Sequence, residues 1–311
     1  MNYIYSAMGW ILKQLYDLLA LIHLDNYAYA IILFTILVNL VFLPLSIKQQ
    51  KATAKQAALR PKLEALKEKC GDDQRRYQTE MQALYQKEGV SMMGGCWTLL
   101  IRLPFLWGVW QAIRSPLSYI LNVGADVIAN AKTTLLTLPE FAGKEAKALT
   151  ELDIINHVGD LAAKDASFST LATQVRDLNF NFFGINLTET PDFTLNLAKA
   201  EWIWIIPLLS FATAMLSSIV SLHMQKKTNP QAASMGGMML LMPLMSLWIA
   251  FQVPGAVGFY WACSNLVNMV VQFFMNKYYG PYTVAAREAA KTVAARKKKE
   301  QELKVNSNSE V

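Results

Sequence analysis

The residues best suited to act on another molecule are polar side chains inside segments that are otherwise apolar. Arg102 interrupts one such segment, and amide or hydroxyl side chains recur at helical spacing in three others. These three sets are Thr35, Asn39 and Ser46; Ser210, Thr213, Ser217 and Ser221; and Asn265, Asn268 and Gln272. Spacings of three, four and seven residues place side chains on one face of a helix. Because amides, hydroxyls and a guanidinium form hydrogen bonds and ion pairs, the chemistry they offer is the binding of polar or acidic groups.

The sequence contains no arrangement typical of covalent catalysis. Ser221 and His223 stand two residues apart, so they face different ways on a helix. No Asp or Glu lies within the long uncharged segments, which argues against a proton- or cation-coupled transporter. The three cysteines, Cys70, Cys96 and Cys263, lack the spacing of a metal site. We therefore expect no enzymatic activity, no cofactor and no metal.

The apolar segments themselves indicate a polytopic membrane protein. The chain has 311 residues, of which 53% are hydrophobic and only 17% charged. Formal charges are absent from 22 residues at 26–47, from 24 at 202–225 and from 49 at 228–276. A helix of roughly 20 apolar residues spans the hydrocarbon core of a bilayer. This pattern excludes a soluble enzyme and a disordered chain.

We predict an all-α membrane protein with five transmembrane helices, at 26–47, 94–114, 201–223, 235–251 and 257–275. Residues 1–25 lack the basic start and cleavage site of a signal peptide and fit an amphipathic helix in the membrane interface. Residues 48–93 are charged and break at Cys70-Gly71-Asp72-Asp73, which predicts a helical hairpin. The remaining connections are a long loop at 115–200, a link at 224–234 and a basic tail at 276–311.

Basic residues predict which connections face the cytoplasm. The segment Lys48 to Met93 has ten Lys and Arg against six acids, the tail after Met275 has eight against four, and the 224–234 link adds Lys226 and Lys227. Residues 115–200 have six basic and ten acidic residues. Cytoplasmic connections carry the excess of Lys and Arg. The N-terminus is therefore predicted to lie outside, and the C-terminus, hairpin and tail are predicted to lie in the cytoplasm. This topology also explains the net charge of +6 without binding to nucleic acid.

Arg102 is the polar residue that most needs an explanation. At about 1.5 Å per residue it lies roughly 12 Å from the cytoplasmic end of its span, and Asn39 lies roughly 13 Å from the end of the neighbouring span. A water-filled cavity open to the cytoplasm would accommodate both side chains. The alternatives are an arginine that snorkels to headgroups or pairs with a helix-end carbonyl. For the serine row on the third span, ordinary helix packing is the favoured interpretation.

Methionines on the fourth span allow two interpretations. They are Met235, Met238, Met239, Met242 and Met245. Methionine suits surfaces that accept varied apolar partners. Plain core filling is the more common reason for such a row and is the one we expect.

Several short segments occur in the order found in one known family. They are Pro44-Leu45-Ser46, Leu59-Arg60-Pro61-Lys62-Leu63, Gly71-Asp72-Asp73, Met81-Gln82-Ala83-Leu84-Tyr85, Gly94-Gly95-Cys96, Leu99-Leu100-Ile101-Arg102-Leu103-Pro104, Phe183-Gly184-Ile185-Asn186-Leu187, Pro254-Gly255, Tyr260-Trp261 and Ser264-Asn265-Leu266-Val267. Together they resemble the YidC-type membrane protein insertases of the YidC/Oxa/Alb family. The likeness covers about residues 20–115 and 180–300.

This resemblance implies a protein of the bacterial cell membrane with five spans around a hydrophilic groove. The groove would open to the cytoplasm and to lipid and be closed outside. It would draw in the hydrophilic end of a nascent membrane protein while the apolar span enters the bilayer, without nucleotide or cofactor. The hairpin and tail would meet substrate, the ribosome, a Sec translocon or targeting factors, and no sequence-specific nucleic acid. The predicted groove residues are Arg102, Asn39, Thr35, Asn265, Asn268, Gln272 and Ser217.

The sequence departs from the family pattern in three places. Asn39 stands where the family has its groove arginine, while Arg102 occupies a position that is commonly glutamine. We hypothesise that the charge has moved to the neighbouring helix and still faces the same groove. Thr98 replaces the usual proline, and roughly 124–177 resembles an insertion.

Two other classes of function remain as alternatives. A small-solute transporter would contain inverted repeats and discontinuous helix pairs, and the spans show no such internal symmetry. A membrane scaffold would dock partners through the cytoplasmic hairpin. It would leave Arg102 and the matched polar faces without a purpose.

Overall fold

The computed structural model describes residues 2–90, 96–191, 201–228 and 236–309. These residues are mostly helical, which confirms the helical character of the predicted fold class. The chain divides into two compact units. The first comprises Met1–Val41, Ile101–Ser221 and Met235–Met269, and the second comprises Phe42–Leu100, Leu222–Ser234 and Val270–Val311.

The described α-helices follow one another in this order: α1 (Asn2–Ala20), α2 (Tyr27–Val41), α3 (Leu43–Ala58), α4 (Arg60–Cys70), α5 (Gln74–Lys87), α6 (Cys96–Arg114), α7 (Pro116–Tyr119), α8 (Ala125–Leu135), α9 (Glu151–Asn156), α10 (Val158–Lys164), α11 (Ser169–Arg176), α12 (Ile205–Thr228), α13 (Gly236–Ala250), α14 (Gly255–Tyr279) and α15 (Pro281–Ser309). Single 3₁₀ turns occupy Pro139–Phe141, Ala166–Phe168 and Trp202–Trp204. Two strands, β1 (Asn181–Phe182) and β2 (Ile185–Asn186), form an antiparallel hairpin, a short departure from an all-α fold.

The segment predicted as a continuous span at 26–47 is divided at Phe42, between α2 and α3. Pro44 explains the break, because it has no N–H for the carbonyl of Leu40 and its ring would collide with that carbonyl in an unbroken helix. The hydrogen-bond ladder restarts when the Ser46 N–H donates to the Phe42 carbonyl at 2.9 Å.

Within the described residues, one helical segment is long and apolar enough by itself to cross a membrane. It runs over Trp202–His223, 22 residues with a mean hydropathy of 2.0. The pair Tyr27–Val41 and Leu43–Ala58 meets the same test only when it is counted as one broken span.

The core of the first unit lies where its long helices meet the segment 116–191. Side chains at the starts of α2 and α14 and at the end of α6 pack with those of the short helices α8 to α11. Representative buried residues are Ile31, Ile113, Ile154, Leu161 and Val257. The insertion expected at 124–177 is therefore a helical layer that shares one apolar core with the long helices.

Helix α1 packs its apolar face, with Met8 and Leu12, against this core, and Tyr16 forms hydrogen bonds to a distant part of the chain. The Tyr16 hydroxyl donates to the carbonyl of Asp177 at 2.8 Å and accepts the N–H of Asn179 at 3.0 Å. Gly9 lies against α7, so close that a Cβ there would stand 2.1 Å from the Tyr119 carbonyl oxygen. These contacts join residues more than 100 positions apart, which no sequence pattern predicts.

The second unit contains the hairpin of α4 and α5. Its turn uses a left-handed Gly71 (φ 55°), and the Asp73 side chain caps α5 by accepting the Arg76 N–H at 3.0 Å. Ion pairs from Lys62 to Glu88 and from Lys69 to Glu80 join the two helices. In the same unit α3 packs against α15.

Candidate functional site

Thr35 and Asn39 lie one turn apart on α2, but their side chains differ in exposure. Thr35 is 1% exposed, and its hydroxyl donates to the Ile31 carbonyl at 2.7 Å. Asn39 is half-buried, and its Nδ2 donates to the Thr35 carbonyl at 2.9 Å. Among the described residues, Asn39 Oδ1 has no partner. Asn39 is thus the member of this pair that keeps hydrogen-bonding capacity for another molecule.

Asn265 links α14 to α12 across a narrow helix contact. Its Nδ2 stands 3.3 Å from the Thr213 hydroxyl and 3.4 Å from the Ser210 carbonyl oxygen. Ser210 and Thr213 are both buried. Small hydroxyl residues let membrane helices approach closely, and side-chain amides join them by hydrogen bonds. Ser210 and Thr213, two members of the serine row, therefore lie in a contact between helices.

The other predicted groove residues are placed as follows. Asn268 is half-buried on α14, and its Nδ2 donates to Ser264 Oγ at 3.1 Å. Ser217 is half-buried on α12. Gln272, also half-buried, belongs to the second unit. The backbones of Arg102 and Thr98 are helical, but the side chains of both lie outside the described residues. No hydrogen bond among the described side chains joins the α2 pair to the α14 asparagines.

Burial changes steeply along two of the long helices of the first unit. On α2, Ile31 is 0% and Phe34 1% exposed, whereas Leu40 is 58% and Val41 66% exposed. The same change occurs on α14 between Val257 and Leu266, whereas α12 is exposed near its first end, at Ile205 and Leu208, as well as at Ile219. Helices α2 and α14 are therefore tightly packed at the ends next to segment 116–191 and more exposed towards their other ends, where Asn39 lies on α2.

The methionines that the structure describes on α13 do not fill a core. Met242 and Met245 are 67% and 60% exposed, and Leu241, Leu244 and Trp248 are exposed with them. Core filling, the interpretation favoured by the sequence, is wrong for these two residues. The side chains of Met235, Met238 and Met239 lie outside the described residues. The exposed face is flexible and apolar, as suits varied apolar partners.

The packed end of the helices is closed by the strand hairpin and the residues after it. The N–H of Ala256 donates to the Leu187 carbonyl at 2.7 Å, and that of Gly255 to the Glu189 carbonyl at 2.8 Å. These bonds satisfy the first N–H groups of α14, which have no partner inside the helix. The turn of the hairpin has positive φ at Phe183 (50°) and Gly184 (80°), as a two-residue hairpin requires.

These observations can be compared with known proteins. A family model described as "60Kd inner membrane protein" matches residues 19–281 of the chain. The chain belongs to this family. Membership confirms the resemblance drawn from the motifs, and the family is one of membrane insertases rather than enzymes.

Curated relatives of the 60Kd inner membrane protein family carry the name membrane protein insertase YidC. The protein of Nitratidesulfovibrio vulgaris is 26% identical over 277 residues, covering 86% of this chain and 39% of the relative. That of Pseudoalteromonas atlantica is 41% identical over 114 residues, 36% of this chain and 21% of the relative. That of Xylella fastidiosa strain M12 is 25% identical over 283 residues, which cover 89% of this chain and 36% of the relative. The chain thus spans about two fifths of the length of the Nitratidesulfovibrio and Xylella relatives.

Glu151 is a buried carboxylate that the sequence did not single out. Its Oε2 accepts the Ser118 N–H at 2.9 Å, and its Oε1 accepts the Ser118 hydroxyl at 2.5 Å, which ties α9 to α7. Burial raises the pKa of Glu151 above its ordinary value, although the bonds from Ser118 oppose this shift. A glutamate that opens a helix after the capping residue Thr150 gives no sequence signal of burial.

We expect Glu151→Ala to lower the free energy of unfolding by about 2 kcal/mol, because it leaves two donors of the half-buried Ser118 without their acceptor. Since the pKa is raised on folding, the folded state holds the proton more tightly, and stability falls as pH rises through the interval from the ordinary to the raised pKa. Glu151→Gln should remove this part of the pH dependence. Thermal unfolding of both variants and the native chain in detergent, from pH 4 to 8, measures the effect; identical pH profiles for all three would contradict it.

A second expectation concerns the contact between α12 and α14. Replacing Asn265 by Leu, Thr213 by Val, and both together should give a coupling free energy of about 0.6 kcal/mol, typical of hydrogen bonds between membrane helices. A double-mutant cycle on unfolding in detergent measures it. Strictly additive effects would mean that Asn265 does not use this bond and is free to face a groove.

Proposed function

We propose that this chain is a non-enzymatic membrane protein insertase and chaperone. The observation that carries the proposal is the asymmetry of α2 and α14 in the first unit, which are packed at one end and exposed at the other. Such an arrangement suits a groove that is closed on one side of the membrane and accessible from the other. Membership of a family whose curated relatives are named insertases supports it.

The polar residues of this groove would attract the hydrophilic segment of the substrate. Counted along unbroken helices, Arg102 and Asn39 come to about the same depth, roughly 12–13 Å from the predicted cytoplasmic ends of their spans, and α2 itself ends at Val41, two residues after Asn39. A hydrated, positively charged pocket at that depth attracts an acidic or polar segment and leaves it less of the about 30 Å of hydrocarbon to cross. Asn268 and Ser217, which belong to the same unit, would line the same groove.

Thr35 and Asn265 contribute differently in this proposal. Because the Thr35 hydroxyl is bonded within α2 and Asn265 contacts α12, both would shape the wall of the groove rather than hold substrate. The exposed apolar faces of α12, α13 and α14 would receive the substrate's apolar span as it leaves for lipid. The methionines Met242 and Met245 allow that surface to adapt to different spans.

The remaining partners follow from topology. We propose the bacterial inner membrane as its location, with the N-terminus outside and the α4–α5 hairpin and α15 in the cytoplasm. There the hairpin would meet nascent chains, the ribosome, a Sec translocon or targeting factors. Basic segments attract RNA through its phosphates without reading sequence.

Insertion into liposomes tests the proposal. The full chain is reconstituted, and a single-span protein with a short acidic end is supplied as it is synthesised. We expect protease protection of the acidic end in liposomes that contain the chain and none in empty liposomes. Equal protection in both would overturn the proposal.

The membrane scaffold is distinguished by a second variant in the same assay. Replacement of α4 and α5 (60–87) by a short flexible linker removes the hairpin but leaves the first unit intact. We expect reconstituted insertion without ribosomes to persist. Complete loss of insertion with this variant, together with normal activity of Arg102→Ala, would favour the scaffold.

A further inference from the structure

The second unit contains a cleft between α3 and α15 that is lined mainly by basic side chains. Its volume is about 590 Å³. The lining residues are Lys48, Lys51, Ala52, Lys55, Val284, Arg287 and Lys291. We call this site the basic cleft. None of its lining residues is acidic, and the side chain of Glu288, next to Arg287, lies outside the described residues.

Helical spacing on both walls brings these charges together. Lys48, Lys51 and Lys55 follow one another at three and four residues on α3, and Arg287 and Lys291 stand four apart on α15. The two walls pack against each other, and Gln50 Nε2 on α3 donates to Asn276 Oδ1 at 2.8 Å near the end of α14, just before α15 begins. The cleft is therefore formed by packed helices and not by surface side chains that happen to be near one another.

The chain turns sharply before α15, which keeps this helix beside α3. A Cβ at Gly280 would stand 2.3 Å from the Asn276 carbonyl oxygen, so only glycine fits there. Pro281 follows as the first residue of α15, a position where its missing N–H costs nothing. Gly280 and Pro281 thus fix the second wall of the cleft.

Four cations of the basic cleft, Lys48, Lys51, Lys55 and Arg287, lie close together. Lys51 Nζ lies 5.2 Å and Arg287 Cζ 5.7 Å from the centroid of the same ring, that of Tyr279. Within the described part of the chain, Lys48, Lys51, Lys55 and Arg287 form no ion pair, whereas Lys62 and Arg76 of the hairpin do. Like charges held this close repel each other, and a bound anion would offset the repulsion.

The position of the basic cleft along the chain indicates which kind of anion would bind there. Lys48 is the first charge after the uncharged segment 26–47, and Lys277 is the first after 228–276. Phe274 and Tyr278, about half exposed, lie at the same level of α14, as aromatic residues of a membrane interface do. The cleft therefore begins where two apolar segments end, at headgroup depth of the face predicted to be cytoplasmic. Anionic phospholipids give that leaflet its negative surface potential.

We propose that the basic cleft binds the phosphate headgroup of an anionic phospholipid. The phosphate lies among Lys48, Lys51 and Arg287, and the acyl chains run along the exposed rings of Phe273 and Phe274. A lipid fits this depth better than RNA does, because RNA has no apolar part to place beside those rings. The inference is independent of the insertase activity, since it concerns the second unit alone.

Native mass spectrometry of the full chain in neutral detergent tests the proposal, with cardiolipin as the probe and phosphatidylcholine for comparison. We expect tighter binding of cardiolipin, and about 30-fold weaker binding to the double variant Lys51→Gln, Arg287→Gln, which corresponds to about 2 kcal/mol at about 1 kcal/mol per basic residue. The matched control Lys67→Gln, Arg75→Gln removes two exposed charges of the hairpin and should change binding less than threefold. Lys51→Arg, Arg287→Lys should bind like the native chain.

Three results would overturn the proposal. Equal weakening by the hairpin control would mean non-specific attraction by net charge. Displacement of cardiolipin by 10 mM inorganic phosphate would mean a site for free phosphate and not for a lipid. Unchanged cardiolipin binding by the cleft variant, combined with loss of its binding to a ribosomal RNA fragment, would assign the cleft to RNA. Circular dichroism of each variant confirms that α15 is still folded.

Discussion

Reconstituted Arg102→Ala should insert an acidic-ended single-span protein at least about tenfold more slowly than the native chain. A guanidinium in a confined, partly desolvated groove attracts a carboxylate by more than the 1.4 kcal/mol that corresponds to a factor of ten. A substrate whose hydrophilic end carries amides instead of carboxylates should be affected much less. The initial rate of protease protection, measured for both substrates at equal amounts of reconstituted protein, provides the comparison.

The double variant Asn39→Arg, Arg102→Gln tests whether the positive charge can act from position 39 as well as from position 102. It moves the guanidinium to α2, where the resembling family carries it, and keeps the net charge of the native chain. We expect it to restore most of the lost rate, because the count of residues along each predicted span gives both positions about the same depth. Asn39→Arg alone in the native background should be tolerated. Full activity of Arg102→Ala would instead reduce Arg102 to a membrane anchor.

Gly9→Leu should detach α1 from the first unit and lower the free energy of unfolding by about 3 kcal/mol. Even the Cβ of the new side chain would lie within 2.1 Å of the Tyr119 carbonyl oxygen, and this neighbour is backbone that cannot move aside. Overpacking of a close contact typically costs 1–3 kcal/mol, and here the contacts of Tyr5 with Tyr119 are lost as well. Thermal unfolding in detergent measures the change.

Gly159→Leu is the control for this prediction. Gly159 is also a helical glycine, but it is exposed and nothing lies within 4 Å of its Cβ position. Its replacement should be neutral or slightly stabilising, since glycine in a helix is less favourable than residues with a side chain. Equal destabilisation by the two substitutions would show that the close approach to Tyr119 does not determine the effect at Gly9.

Sequence patterns predicted the local structure better than the contacts. Uncharged segments and helical spacing indicated helices over most of the chain, and Gly71 to Asp73 marked the turn of the hairpin, because these features depend on nearby residues. Pro44 could have signalled the break at Phe42, but its neighbours are apolar enough to look like one span. The strand hairpin at 181–186 is too short to give an alternating pattern.

The candidate site was predictable in type but not in detail. The amide and hydroxyl rows placed polar groups on helix faces, yet helical spacing cannot tell a groove from a helix contact, and Asn265 lies in such a contact. Burial of Thr35 and exposure of Met242 depend on the packing of distant segments. The same holds for the bonds of Tyr16 to Asn179 and of Glu151 to Ser118, which join residues remote in sequence.

The central claim is a groove that opens to one side of the membrane, and thiol labelling measures it most directly. Cys70, Cys96 and Cys263 are replaced by Ser, and a single cysteine is introduced at Asn39 or at Ile31, its buried counterpart two turns away on α2. A membrane-impermeant maleimide is then added to one side of proteoliposomes at a time. We predict rapid labelling at 39 from the side that carries the hairpin, and protection at 31 from both sides. Labelling at 39 only from the opposite side, or protection at 39 equal to that at 31, would contradict the groove.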